Sequence, residues 1–268
     1  MILRPLHPHA ASSEIVPAWN AVAATQQQDS PAWWLIAQPD HAALAGNLAA
    51  RFSPGGFPLL DSAAVKAITL HDAGWAAFDG GGEAGGGKGE SPQFLRGRSG
   101  RPLSFLDAPV KVFMEAWTDS IRCAEERAGA IGGLMVSGHF CRLAQHRLNA
   151  AQDTPEDAAR LRNFVTDESR QDEKRLARQA RSRDEVGSLV DLLQFCDLLS
   201  LYLCCGSPAS VQFPQFMGAQ PILLRREGEL CILEPSPLRE HVSLAVPALR
   251  DPVSRDEPNS CVLPLLIR

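Results

Sequence analysis

Four ionisable residues occupy positions that would carry them into the apolar interior of the protein. His41 and the adjacent pair His71 and Asp72 lie in the N-terminal part of the chain, and Asp197 lies far along it. The order H…HD…D supplies two imidazoles and two carboxylates. That set suits Mn, Fe, Mg or Zn, with water filling the remaining ligand positions. The sequence therefore predicts one divalent metal site made by these four residues.

Asp197 has the strongest physical reason to need a partner. Apolar residues at helical spacing, among them Val190, Leu193 and Leu201, place it in the middle of a hydrophobic stripe. A bare carboxylate in such surroundings is strongly unfavourable, so it must be neutralised, paired or bound to a metal. A metal would meet this need and would also use the two histidines.

The two histidines are predicted to point inward for different reasons. His41 lies one turn before Leu44 and two turns before Leu48, so it shares their apolar face. His71 and Asp72 end a predicted helix, where two neighbours can both approach an ion that lies between their directions. Structural roles without metal binding remain open for these residues. A histidine could be held in the core by hydrogen bonds, and a buried aspartate could be paired with arginine.

His139 is a fifth candidate, because it shares a helical face with Met135 and Leu143. His146 continues that face one heptad later. Either residue could hold a second metal or contact a substrate, and either could instead be a hydrogen-bonded histidine between helices.

The elements that must position these residues are mostly helical. Short strands are predicted at 1–3 and 33–36. Helices are predicted from Asp40 and over 62–72, 108–128, 131–149, 155–182 and 185–205. Strand-like runs follow Gly206. The fold prediction is mainly α, one domain over 1–268, with a small antiparallel sheet in which a β-rich appendage (207–268) packs against 1–37. Residues 79–102 are predicted to be a flexible, Gly-rich loop.

Composition narrows the partners and the compartment. The net charge is −5 over 268 residues, which disfavours nucleic acid or an anionic membrane as a partner. A small, anionic substrate is expected, and a homo-oligomer is compatible with the sequence. Seven cysteines without a C-x-x-C motif, and no secretory signal, favour the cytoplasm.

The run from Gly82 to Lys88 matches the G-x-x-x-x-G-K spacing, but Gly89 stands where a phosphate loop needs Ser or Thr.

The ordered motifs resemble a bacterial domain-of-unknown-function family within the HD-like group, whose members include metal-dependent phosphohydrolases. The resemblance covers nearly the whole chain and implies an HD-like helical bundle with a small terminal sheet. One departure concerns Ala73, because the family's doublet is usually followed by a second acid. The motifs that carry the resemblance are Gln38-Pro39-Asp40-His41, His71-Asp72-Ala73-Gly74-Trp75 with Asp79, Ser137-Gly138-His139 and Cys196-Asp197-Leu198-Leu199-Ser200-Leu201.

The resemblance implies a metal-dependent phosphohydrolase that acts on a small phosphate ester or nucleotide. Asp72 and His139 would then be catalytic, with His139 acting on the substrate or on a proton. Two alternatives stay open: a di-iron oxygenase of the HD type, with His139 and His146 as the extra ligands, and a non-catalytic protein that binds a small molecule or a partner.

Overall fold

The computed structural model describes residues 1–8, 14–53, 57–58, 60–79, 94–254 and 258–268. Strands lie near both ends of the chain, and helices fill the centre. The strands are β1 (Ile2–Pro5), β2 (Val16–Pro17), β3 (Trp33–Ile36), β4 (Val211–Met217), β5 (Gln220–Glu227), β6 (Leu230–Glu234), β7 (Val242–Asp251) and β8 (Ser260–Ile267). The helices are α1 (Ala18–Gln27), α2 (Gln38–Ala49), α3 (Ser62–Leu70), α4 (Ala76–Asp79), α5 (Val110–Ala150), α6 (Pro155–Leu176) and α7 (Arg183–Cys205). Short 3₁₀ turns cover Ala73–Trp75 and Phe105–Asp107.

All eight strands join one mixed sheet in the order β1-β3-β7-β8-β6-β5-β4-β2. The pairs β6–β8 and β2–β4 are parallel, and the other pairs are antiparallel. Strands β1 and β3 form one edge, β2 forms the other, and the strands after α7 lie between them. The curled sheet packs on α1 and α7 through β1 and β4.

The predicted fold class, an HD-like helical bundle with a small antiparallel sheet, is wrong, and so is the all-α description. The eight strands build a curled α/β half-barrel in place of a small terminal sheet. The prediction failed because β4, β7 and β8 contain Pro214, Pro247 and Pro264, which weaken a strand signal. Pro214 falls where the β4–β5 register shifts between Gln212 and Phe216, a place that tolerates proline.

The helices form the layer that carries the candidate site. Helix α5 packs against α3, α6 and α7, while α2 packs against α3 and α7. Helix α5 is interrupted at Gly129, whose φ of 73° is left-handed, so it runs as two segments. Helix α7 is long and apolar enough to cross a membrane by composition alone. It is the one such helix among the described residues, and 78 % of its apolar window is buried inside the protein, as expected of a core helix.

The predicted Gly-rich loop is described only in part. Residues 80–93, which include the Gly82–Lys88 run, lie outside the described residues. Beyond them, Arg96 and Pro102 form an isolated β-bridge, and Gly97 N–H donates to the carbonyl of Arg101 across a tight turn.

Candidate metal centre

Four elements bring the predicted residues to one point in the helical layer. Helix α2 carries His41, the end of α3 carries His71, and α7 carries Asp197. Asp72 directly precedes the 3₁₀ turn. Helix α5 adds His139 from the other side. The ring centroid of His71 lies 5.1 Å from that of His41 and 5.6 Å from that of His139.

His41 has its ring orientation fixed by Ser200. The Ser200 hydroxyl lies 2.8 Å from the carbonyl oxygen of Asp197, which can only accept, and 3.0 Å from Nδ1 of His41. Both contacts are satisfied only when the hydroxyl donates to the carbonyl and Nδ1–H donates to the hydroxyl. Nε2 of His41 then faces Oδ2 of Asp72 at 2.8 Å. In a neutral ring this nitrogen has a lone pair, so it needs a proton or a cation there.

His71 repeats the same arrangement with a different anchor. Its Nδ1 lies 2.8 Å from the carbonyl oxygen of Ile68, so Nδ1–H is the donor. Its Nε2 faces Oδ1 of Asp197 at 3.2 Å and Oδ2 of Asp72 at 3.8 Å. Metal-binding histidines are commonly held this way, with one ring nitrogen donating to an outer acceptor and the other turned toward the ion.

The donor atoms form two overlapping sets that share His71, and each set is spaced as ligands of a cation would be. Ligands ~2.1 Å from an ion and ~90° apart lie ~3.0 Å from each other. The closest contacts, 2.8 Å from His41 to Asp72 and 3.2 Å from His71 to Asp197, match this spacing. The set of His41, His71 and Asp72 and the set of His71, His139 and Asp197 each have donor atoms within 4.8 Å of one another. The residues therefore fit a divalent cation, whose charge would balance the two carboxylates.

The electrostatics of the cluster without an ion show the same need for positive charge. Burial lowers the pKa of His71, but the charge of Asp72 and the hydrogen bond to Asp197 outweigh it and raise that pKa to about 9. Burial raises the pKa of Asp197, but the hydrogen bond and charge of His71 outweigh it and lower that pKa to about 2. A protonated His71 thus supplies the positive charge that a metal ion would otherwise provide.

His139 differs from the other two histidines. Burial, together with the nearby His71 and His41, lowers its pKa to about 4, against the opposing effect of Asp197. The ring is therefore neutral near pH 7. Its Nε2 lies 3.7 Å from Oδ2 of Asp197, and its buried Nδ1 has no hydrogen-bond partner among the described residues. His139 can accept a proton or ligate an ion.

Supporting residues hold these groups in place. The carboxylate of Asp79, which is fully buried, accepts the backbone N–H of Gln38 at 3.1 Å and so anchors the start of α2 near His41. The turn after Asp72 packs closely against α5. A Cβ at Gly74 would lie 2.0 Å from the carbonyl oxygen of Ala116, which explains the glycine there.

The sequence prediction singled out the residues of the cluster but missed some of its supports. Ser200, one turn after Asp197, was included only as part of a family motif, with no role assigned to it. Asp79 was noted only as part of the family motif. Conversely, His146 lies outside both donor sets formed by the described residues.

The comparison with protein families assigns the chain to a family. The family described as "Protein of unknown function (DUF3891)" matches residues 24–250. The chain belongs to this family. Its match contains the entire candidate metal centre, from His41 to Ser200. No curated protein and no solved structure matches the chain.

Proposed function

We propose that this DUF3891 protein is a metal-dependent phosphohydrolase that binds a divalent cation (Mn, Fe, Mg or Zn) through His41, His71, Asp72 and Asp197. The observation that carries the proposal is the direction of two histidines. Both turn Nε2 toward a carboxylate and donate Nδ1–H to a second acceptor, the Ser200 hydroxyl for His41 and the Ile68 carbonyl for His71, with Nδ1 of His41 also 4.0 Å from Oδ1 of Asp197. We also place the motif set in the HD-like group, on its ligand pattern and not on its fold.

The chain's own residues would divide the work as follows. The bound cation would lower the pKa of a water molecule and polarise a phosphoryl oxygen. Asp72 and Asp197 supply the negative charge that holds the cation, and the outer hydrogen bonds of Ser200 and Ile68 keep the imidazoles oriented. The neutral His139 lines the two cavities that reach the cluster, where it can position the substrate.

The geometry supports two other functions less well. A di-iron oxygenase would need separate ligands for two ions, whereas the two donor sets share His71 and, among the described residues, His146 joins neither. A purely structural network would bond His41 and Asp197 directly to each other or to arginine. Nδ1 of His41 lies 4.0 Å from Oδ1 of Asp197, and no described arginine forms an ion pair with Asp72 or Asp197. We further propose a small anionic substrate and a cytoplasmic protein, since all seven cysteines are free.

A phosphatase assay on matched variants tests the proposed function. We expect the metal-loaded protein to hydrolyse at least one member of a panel of phosphomonoesters, phosphodiesters and nucleotides. Asp72→Ala should reduce that activity by at least ~100-fold, as expected for the loss of a residue that is both ligand and charge partner. Asp167→Ala, on the exposed face of α6, should keep it. Activity that survives Asp72→Ala would refute the assignment.

A further inference from the structure

Two cavities meet at the candidate metal centre. The larger, of about 830 Å³, lies between α7 and β4, and the smaller, of about 430 Å³, lies between α1 and α5. We call them the large lobe and the small lobe. Both are lined by Trp19, His139, Leu143, His146 and Asp197, so each lobe reaches the same two residues of the centre. A molecule whose reacting atom lies at the metal centre could therefore place one group in the large lobe and another in the small lobe.

The lining of both lobes is rich in apolar and aromatic side chains. Phe57, Leu198 and Phe216 line the large lobe. Phe105 and Trp117 line the small lobe. Trp19 stands at the junction with 39 % of its surface exposed, and Phe216 at the large lobe is 55 % exposed. Exposed aromatic side chains of this kind are available to pack against apolar groups of a ligand.

The charge of the lobes does not suit a polyphosphate. Among the lining residues that the structure describes, Arg147 is the one lysine or arginine. Its guanidinium makes contacts of 2.7 to 2.9 Å with both carboxylate oxygens of Asp153, and it lies over the ring of Phe113. Asp191 also lines the large lobe, where its charge is paired with Arg142. Sites that bind nucleoside triphosphates instead cradle the phosphates with free cationic and backbone donors.

We propose, building on the phosphohydrolase function above, that the substrate is a phosphodiester monoanion with two apolar or aromatic groups, one for each lobe. A diester carries a single negative charge, so the metal centre needs no help from additional cations. In the reaction the oxygen of water bonds to phosphorus and one P–O ester bond breaks. One proton of the water passes to the departing oxygen, which gives an alcohol or phenol. The other proton stays on the phosphomonoester product.

Three substrates with a direct readout test this proposal on the metal-loaded, full-length protein. They are bis(4-nitrophenyl) phosphate, 4-nitrophenyl phosphate and ATP. We expect kcat/KM for the diester to exceed that for each of the other two by at least ~10-fold. A preference for 4-nitrophenyl phosphate or ATP would overturn the phosphodiester proposal while leaving the phosphohydrolase function intact.

A binding experiment separates failure of the proposed function from failure of the substrate proposal. If neither these three compounds nor any member of the phosphoester panel is hydrolysed, the phosphohydrolase function is refuted. Saturation-transfer NMR with diphenyl phosphate then decides the substrate class. Binding of diphenyl phosphate that ATP does not displace supports the two-lobed site, and absence of binding overturns it.

Substitutions in the lobes give an independent test. Trp19→Ala should lower kcat/KM for the diester, or its affinity, by about 5- to 10-fold, which corresponds to one lost aromatic contact. Trp19→Phe should retain most of it. Val253→Ala is the control, because Val253 is 75 % exposed and lines neither lobe. Metal content should be equal in all variants. An unchanged diester kcat/KM and affinity in Trp19→Ala would overturn the proposal.

Discussion

Replacing Asp197 by asparagine removes one negative charge from the metal centre and leaves the side-chain volume almost unchanged. The carboxylate is only 13 % exposed and lies 3.2 Å from Nε2 of His71 and 3.7 Å from Nε2 of His139. In metal-free protein its pKa falls from 3.8 to about 2, because the histidine contacts outweigh the effect of burial. Each pKa unit is worth ~1.4 kcal/mol, so the charge stabilises the folded state by roughly 2–3 kcal/mol at pH 7.

The sign of this contribution fixes its pH dependence. A carboxylate whose pKa is depressed in the folded state stabilises that state fully above the unfolded pKa, here 3.8. The contribution disappears as the pH falls through about 2. We therefore expect metal-free Asp197→Asn to lose roughly 2–3 kcal/mol of unfolding free energy at pH 7, or about 5–10 °C in Tm. The difference from the unsubstituted protein should shrink as the pH falls from about 4 toward 2.

Urea unfolding in the presence of a chelator measures this effect. The matched control is Asp191→Asn, on the same helix, where the side chain is 63 % exposed and pairs with Arg142 at the surface. Removal of that surface pair should cost no more than ~1 kcal/mol. Equal losses for the two variants at pH 7, or no loss for Asp197→Asn, would refute the electrostatic argument.

Three further predictions concern the site and its supports. The pKa of His71 is about 9, and its proton must leave before Nε2 can bind an ion. Metal affinity should therefore rise by up to ~10-fold per pH unit from pH 7 and level off above about pH 9. Calorimetric titrations that give the same affinity across this range would contradict this prediction. Gly74→Ala should lower the free energy of unfolding, measured by urea denaturation, by at least ~1–3 kcal/mol, because the new Cβ overlaps a backbone carbonyl of α5. Gly187→Ala, with no atom within 4 Å, should be neutral or stabilising by up to ~1 kcal/mol, and the reverse order would refute the packing argument. Asp79 also forms a buried ion pair with the Met1 amino group at 2.9 Å, so Asp79→Asn should cost ~3–5 kcal/mol of unfolding free energy. It should weaken metal binding several-fold by loosening the start of α2, and unchanged unfolding and metal titrations would show that Asp79 supports neither.

The metal-centre candidates could be found from the sequence because burial of an ionisable group leaves a clear pattern. Asp197 stands inside an apolar helix, and His41 stands on an apolar face, so each needed a partner. The structure brings both to the His71 and Asp72 pair. The adjacent residues can face one point because α3 ends at Leu70 and the backbone turns at Asp72.

Helix α1 and its contribution to the site could not be predicted in the same way. It contains the buried polar residues Thr25 and Gln26, which break any apolar stripe. Gln26 is satisfied from afar: its side chain accepts the N–H of Leu3 at 2.8 Å and donates to the carbonyl of Leu3 at 2.7 Å. These contacts between distant segments are visible only in the structure, so the sequence pattern predicted no helix at α1. Trp19, which lies on this helix at the junction of the lobes, was missed with it.

The sheet was underestimated for a similar reason. Local patterns revealed strands at 33–36 and after Gly206. The parallel pairs β2–β4 and β6–β8, however, join segments whose proximity no local pattern encodes. Val16–Pro17 is only two residues long and has no strand signal of its own. Its pairing with β4 depends on the position of the rest of the sheet.

Metal analysis of untagged protein tests the central claim most directly, since a histidine tag would bind metal itself. We predict about one divalent ion per chain by elemental mass spectrometry after metal loading and desalting. Asp197→Asn and His41→Ala should lose that ion, and Asp191→Asn should keep it. A chain that retains no metal, and whose Tm does not rise with Mn²⁺, Fe²⁺, Mg²⁺ or Zn²⁺, would contradict the assignment of these residues as ligands.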